Sequence, residues 1–138
     1  MKLKEQNTHN LYLNHYNFIG IITNIYADGD YIVLKLFIEN NSNIKYDVDF
    51  LGFKVTTKKK SFLKKGATES YSINKLYPFK EDDLKVLEPN SKKEMVYIFE
   101  KFTIEKKKKL TFQITELKGD RKLSIDVPHQ YIIKADSL

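Results

Sequence analysis

Cysteine is absent from this 138-residue chain. That removes a disulfide framework, a thiol nucleophile and a thiolate metal site together, although it does not fix the compartment. Arginine is nearly absent: Arg121 is the single arginine among 24 basic residues. A net charge of +6 invites a nucleic-acid reading. Base readout and bidentate phosphate contacts lean on the arginine fork, however, whereas lysine acts as a hydrated point charge. Specific nucleic-acid binding is therefore not expected. No apolar run reaches the roughly 18 residues that a spanning helix needs. The N-terminus, MKLKEQNTHNLYLNHYN, has a basic start but no apolar h-region, so it is not a secretory signal peptide. Two explanations stay open: a cytoplasmic protein, or a fragment separated from its signal and a preceding domain.

What is present suits a packed core, with 41% hydrophobic residues and nine each of Tyr and Phe. The stretch Ile32 to Val55 sets the pattern for the rest. Ile32, Leu34, Leu36 and Ile38 share one side of an extended chain, because successive strand side chains point to opposite faces. Asn40-Asn41-Ser42-Asn43 supplies turn formers. Tyr46, Val48 and Phe50 then alternate with Lys45, Asp47 and Asp49, and the phase slips at Leu51-Gly52 to make Phe53 and Val55 the apolar positions. A glycine at a one-residue slip predicts a β-bulge there.

Upstream, residues 1–15 are polar and aperiodic and read as a flexible tail, with one domain over 16–138. Tyr16 to Tyr26 reads as a strand with Ile19, Ile21 and Ile25 on one face, and Asp28-Gly29 as a hairpin signal. Downstream, Thr56 to Ala67 reads as a lysine-rich loop or hairpin tip. Thr68 to Tyr77 reads as a weak strand with Tyr71, Ile73 and Tyr77 on one side. A single helical turn is a candidate around Glu81 to Leu87, and Pro89-Asn90 marks a turn. Lys93 to Phe99 is apolar on both faces, as a central strand would be. Leu110 to Thr115 and Leu123 to Val127 form a hairpin about Lys118-Gly119-Asp120, closed by Pro128. About seven strands at roughly 8 to 12 residue intervals, without an amphipathic helix of any length, predict an all-β, immunoglobulin-like antiparallel β-sandwich.

Catalytic, cofactor-binding and metal-binding residues are not expected. Asp47 and Asp49 sit about 7 Å apart on one strand face by the strand rise; paired carboxylates can serve acid-base work or a hard cation. Their plain reading is a solvated face, and no third carboxylate, Ser-His pair or Gly-rich phosphate loop joins them. His9, His15 and His129 are scattered and lack ligand spacing. Asp28-Gly29-Asp30 lacks the remaining positions of a calcium loop. The lysine runs 58–60, 64–65 and 106–109 fall at expected strand ends, where lysines discourage edge-to-edge aggregation. The sharper reading of these runs is a basic rim meeting an acidic partner, an anionic membrane surface or passing DNA, with strong salt dependence.

Three stretches in order, IKYDVDFLGFKV, EPNSKKEMVYIFEKFTI and LTFQITELKGDRKLSIDV, carry a family resemblance. Through Tyr46–Phe50, Phe99 with Lys101–Ile104, and Gly119–Arg121, the chain resembles the C-terminal domain of the Bacteroides conjugative-transposon TraN family over roughly Phe18 to Ala135. It departs at Gly52, where that pattern often places a large basic residue, and at KGDRK, where a double glycine is more usual. The resemblance implies a non-catalytic structural and interaction domain of a conjugative, type IV secretion-like transfer apparatus. It further implies a periplasmic location at the outer-membrane complex, with other subunits, a short lipoprotein and copies of the domain itself as partners. Candidate contacts are Asp47, Asp49, Tyr71, Tyr77 and Phe79. A cell-surface carbohydrate-binding or adhesive module is the alternative, since a tyrosine-rich sandwich suits that too; a hydrolase would need a polar pocket with perturbed carboxylates.

Overall fold

Alternating apolar side chains build two facing sheets, antiparallel as expected except where the short final strand joins in parallel. The computed structural model describes residues 6–60, 68–76 and 84–137, with side chains outside 57–76. Seven long strands match the seven expected runs: β2 (Phe18–Asp28), β3 (Tyr31–Asn40), β4 (Tyr46–Lys60), β5 (Thr68–Leu76), β7 (Ser91–Glu100), β8 (Lys108–Glu116) and β9 (Lys122–Pro128). Three short strands join them: β1 (Tyr12–His15), β6 (Val86–Leu87) and β10 (Asp136–Ser137). One sheet runs β1-β2-β3-β7 with β10 also on β2; the other runs β5-β4-β8-β9 with β6 also on β4. A five-residue helix, α1 (His129–Ile133), follows Pro128.

The inner faces meet around Phe53, whose ring lies 4.9 Å from Tyr97, 5.0 Å from Phe99 and 5.3 Å from Phe112. Leu34, Leu36 and Ile38 of β3 and Leu110 and Ile114 of β8 close around this cluster. Aromatic pairs at such separations add to the area they bury.

Several expectations are corrected. Residues 6–15 are not a loose tail. β1 pairs with β2 through a two-residue turn in which Tyr16 and Asn17 both have positive φ, the pattern of a type I′ hairpin. Leu11 and Leu13 are buried, and Asn7 and Thr8 donate backbone N–H groups to the Thr23 carbonyl. With β10 at Tyr26 and Ala27, these contacts cover the outer edge of β2 almost end to end, which satisfies backbone groups that an open edge would leave to a stray strand.

The inward face of β2 is Phe18 and Ile22, with Gly20 between them; Ile19 is exposed and Ile21 half-buried. A bulge passes over Thr23 and brings Ile25 inward, so a single alternation from Ile19 to Ile25 does not hold. In β4 the slip lies at Asp49 rather than at Leu51-Gly52: Val48 pairs with Glu116 and Phe50 with Thr115. Phe50 is therefore exposed, not a companion of buried Tyr46. Gly52 serves a different purpose, for a β-carbon there would stand 2.6 Å from the Phe50 ring. Residues 84–87 form no helical turn; Val86–Leu87 is β6. β4 continues as strand to Lys60, where a loop was expected. β7 stands at the end of its sheet's order among the described residues, not in the middle.

The turns are closer to expectation. Gly29 (φ 59°) and Asp30 connect β2 to β3, with positive φ at the first central position only, as in a type II′ hairpin. Asn90 takes the positive φ of the Pro89-Asn90 turn. At the last hairpin the positive φ falls on Lys118, not on Gly119.

Candidate interaction surfaces and the clamp beside them

The single arginine organises one end of the sandwich. Arg121 follows the β8–β9 turn and reaches back to Glu116 at the end of β8. Its Nε donates to Oε1 at 3.0 Å and its Nη2 to Oε2 at 2.5 Å, a bidentate pair. Nη2 also donates to the Lys45 carbonyl at 2.9 Å, and Nη1 to Ser42 Oγ at 3.3 Å and the Ile44 carbonyl at 3.5 Å. The guanidinium lies 5.1 Å from the Tyr46 ring centre and 5.5 Å from that of Phe18. The side chains of Arg121 and Glu116 are only 14% and 12% exposed, so water competes weakly for the pair.

Tyr46 completes the clamp. Its ring is fully buried, and its hydroxyl donates to the Arg121 carbonyl at 2.6 Å with the Ile114 carbonyl 3.3 Å away. Burial holds this phenol well above its ordinary pKa, and the Glu116 charge adds to that while Arg121 opposes it. The hydrogen bonds from Arg121 hold the Glu116 carboxyl below its ordinary value, against the opposing effect of burial. Gly119 leaves the space that the Glu116 side chain crosses; a β-carbon there would collide with the carboxylate. Asn40, fully buried, ties the same end together. Its Nδ2 donates to the Ile44 carbonyl at 3.0 Å and the Leu87 carbonyl at 3.1 Å, while its Oδ1 accepts from Ser42 N at 2.9 Å and Ser42 Oγ at 2.6 Å.

Beside the clamp lies the first candidate surface. Asp47 is half-buried with its carboxylate 3.7 Å from Lys45 Nζ, and Asp49 is exposed at the bulge. Next to Asp49 in β4 and opposite Thr115 of β8, Phe50 is 46% exposed. The bulge was legible as a phase slip, but the exposed phenylalanine it produces was not. Tyr71 lies on β5 and pairs with Thr57, and the register passes over Ile73. The expected Tyr71–Ile73 side is thus interrupted. Tyr77 and Phe79 lie outside the described residues.

The opposite end is basic. Thr57 of β4 pairs with Lys108, so the lysines that finish β4 lie at the same end as the Lys106-Lys107 turn and Lys101. Lys101 lies 3.7 Å from Asp30 and Lys108 4.0 Å from Glu105, both at exposed carboxylates. Among the described residues no three His, Asp or Glu side chains gather as metal ligands, and no helix is long and apolar enough to cross a membrane.

A family model described as a domain of unknown function, DUF4138, matches residues 2–137. The chain belongs to the DUF4138 family. The match takes in β1 through β10, including the N-terminal segment that pairs with β2. No curated protein and no solved structure matches the chain.

Proposed function

We propose that this DUF4138 domain is a non-catalytic docking module of a conjugative, type IV secretion-like transfer apparatus, acting in the periplasm at the outer-membrane complex. The ordered resemblance to the TraN family supports the setting. The observation that supports docking is Phe50, a large apolar ring held outward by the Asp49 bulge, with Asp47 and Asp49 beside it. An aromatic side chain flanked by carboxylates can anchor in a partner's apolar pocket while the acids select a basic rim. Loops on a rigid sandwich commonly carry such contacts, and the Arg121 clamp fixes the neighbouring 42–46 segment.

The test is co-purification of the tagged, full-length protein from a conjugating donor. Recovery of other transfer subunits, lost in Phe50→Asp and in Asp47→Lys/Asp49→Lys with folding intact, is the expected result. Recovery of no transfer subunit, together with unchanged transfer frequency in a deletion strain, overturns the reading. The exposed rings of Tyr12 and Tyr16 favour a second reading, a carbohydrate-binding or adhesive module. Glycan-array binding by the isolated protein, abolished by Tyr12→Ala, would select it.

A further inference from the structure

The lysine-rich end contains a concavity that the docking face around Phe50 does not involve. Val55 of β4, Phe102 and Ile104 of the β7–β8 connection and Ile133 of α1 line a cavity of about 510 Å³, with Glu105 and Lys108 on its polar side. That volume lies within the roughly 300–1,000 Å³ of ordinary ligand sites. Ile133 is 55% exposed at the lip, whereas Val55 and Ile104 are buried on the floor. In the turn between the lining residues Glu105 and Lys108, Lys106 and Lys107 are exposed and make no ion pair among the described residues. Among the described residues, Lys101 and the half-buried Lys108 pair with the exposed carboxylates of Asp30 and Glu105, at 3.7 and 4.0 Å; such pairs contribute little.

We infer that this end binds a partner segment of mixed acidic and apolar residues, one apolar side chain seated against Val55, Ile104 and Ile133 and its neighbouring carboxylates on the lysine rim. Charge complementarity selects the acids, and the buried floor selects an entering side chain. A membrane-binding patch would instead present apolar groups that protrude into the bilayer, and single-stranded nucleic acid would want exposed stacking rings. The inference does not rest on the transfer reading: it concerns a different surface, and its assay uses purified protein and synthetic probes.

The test is a titration of the full chain, labelled at isoleucine methyls, with three peptides and one vesicle preparation. The peptides are DELFDEL, the charge-reversed KKLFKKL and the apolar-stripped DESSDES; the vesicles are phosphatidylglycerol. DELFDEL alone is expected to give saturable shifts at Ile104 and Ile133 with Ile19 unmoved. Binding should weaken about tenfold in Ile133→Asp and in Lys106→Glu/Lys107→Glu. Both variants alter exposed positions and should keep the parent's melting temperature. Raising salt from about 50 to about 300 mM should also weaken it, as screening predicts. No saturable shift at about 1 mM peptide, equal binding of KKLFKKL, or vesicle binding without a peptide response would each overturn the proposal, the last assigning the surface to membrane.

Discussion

Replacing Arg121 with lysine keeps the charge and discards the fork, and so isolates what the guanidinium geometry contributes. The native side chain makes two charge-assisted bonds to Glu116 and three more to Lys45, Ser42 and Ile44. A lysine ammonium can keep one bond to Glu116 but cannot span both carboxylate oxygens and the 42–45 carbonyls together. A net hydrogen bond to a charged group is worth about 1.5–3 kcal/mol, whereas the carbonyls of Ile44 and Lys45 can recover water at the surface. Arg121→Lys should therefore cost about 2 kcal/mol, a fall in melting temperature of roughly 6–10 °C for a domain of this size. Arg121→Met leaves Glu116 enclosed without a partner and should cost more, about 3–5 kcal/mol. Urea unfolding of Arg121→Met, Glu116→Gln and the double variant should yield a coupling of about 2 kcal/mol. A lysine variant within about 0.5 kcal/mol of the parent, or a cycle without coupling, would refute the clamp as a stabilising device.

The same pair fixes an acid dependence. Folding lowers the Glu116 pKa, chiefly through the bonds from Arg121. A group depressed in the folded state stabilises it fully above its unfolded pKa, about 4.3 for glutamate, and loses that contribution as pH falls through the folded value. The stability gap between the parent and Glu116→Gln should thus be constant near neutrality and close progressively below about pH 4.3, read from urea midpoints across pH.

Gly119→Ala should push the Glu116 carboxylate off Arg121 and cost about 1–2 kcal/mol; the cost should largely vanish in a Glu116→Ala background, measured by thermal melts of the four proteins. Phe53→Ala removes the ring shared by Tyr97, Phe99 and Phe112 and should cost about 3–5 kcal/mol in denaturant unfolding. Asn40→Ala removes the side-chain donor to the Leu87 carbonyl and leaves the Ser42 amide without its Asn40 acceptor. It should cost about 2–3 kcal/mol and speed amide exchange at Ser42 above that of the inner β8 strand.

Period-two alternation located six of the seven long strands and an apolar run from Lys93 to Phe99 located β7; where side chains are described, such strands bury one face, which repeats every second residue. It could not find β6 and β10, which are two residues each and exist only because β4 and β2 offer them a partner edge. β1 hid behind its polar neighbours: Leu11 and Leu13 alternate, but Asn10, Asn14 and His15 read as tail. Bulges caused the remaining errors, since skipping Thr23 or Asp49 inverts every face that follows. Phe50, the most informative exposed side chain, was misassigned to the core for this reason. In sequence Arg121 is legible as the single arginine and as part of the Gly119–Arg121 turn, not as a clamp. Its partner Glu116 sits five residues earlier across a turn, and only the β8–β9 register, Thr115 opposite Lys122, brings the two together.

The two ends of the sandwich solve opposite problems. Around Arg121, Asn40 and Tyr46 the loop carbonyls and the buried charges are answered within the chain, which fixes the 42–46 segment beside Asp47, Asp49 and Phe50. The Lys101–Lys108 connection makes two described backbone bonds at its margins, Lys101 to Asp30 and Lys108 to Glu105, and leaves lysines and an apolar hollow facing water. Recognition needs groups whose best partners lie outside the molecule, and among the described residues this second end sets such cations beside an apolar hollow. Because the Phe50 surface is flanked by acids and the hollow by lysines, a segment that suits one is repelled by the other. Two partners of opposite charge could therefore occupy the domain together without competing, and salt would weaken both for the same electrostatic reason.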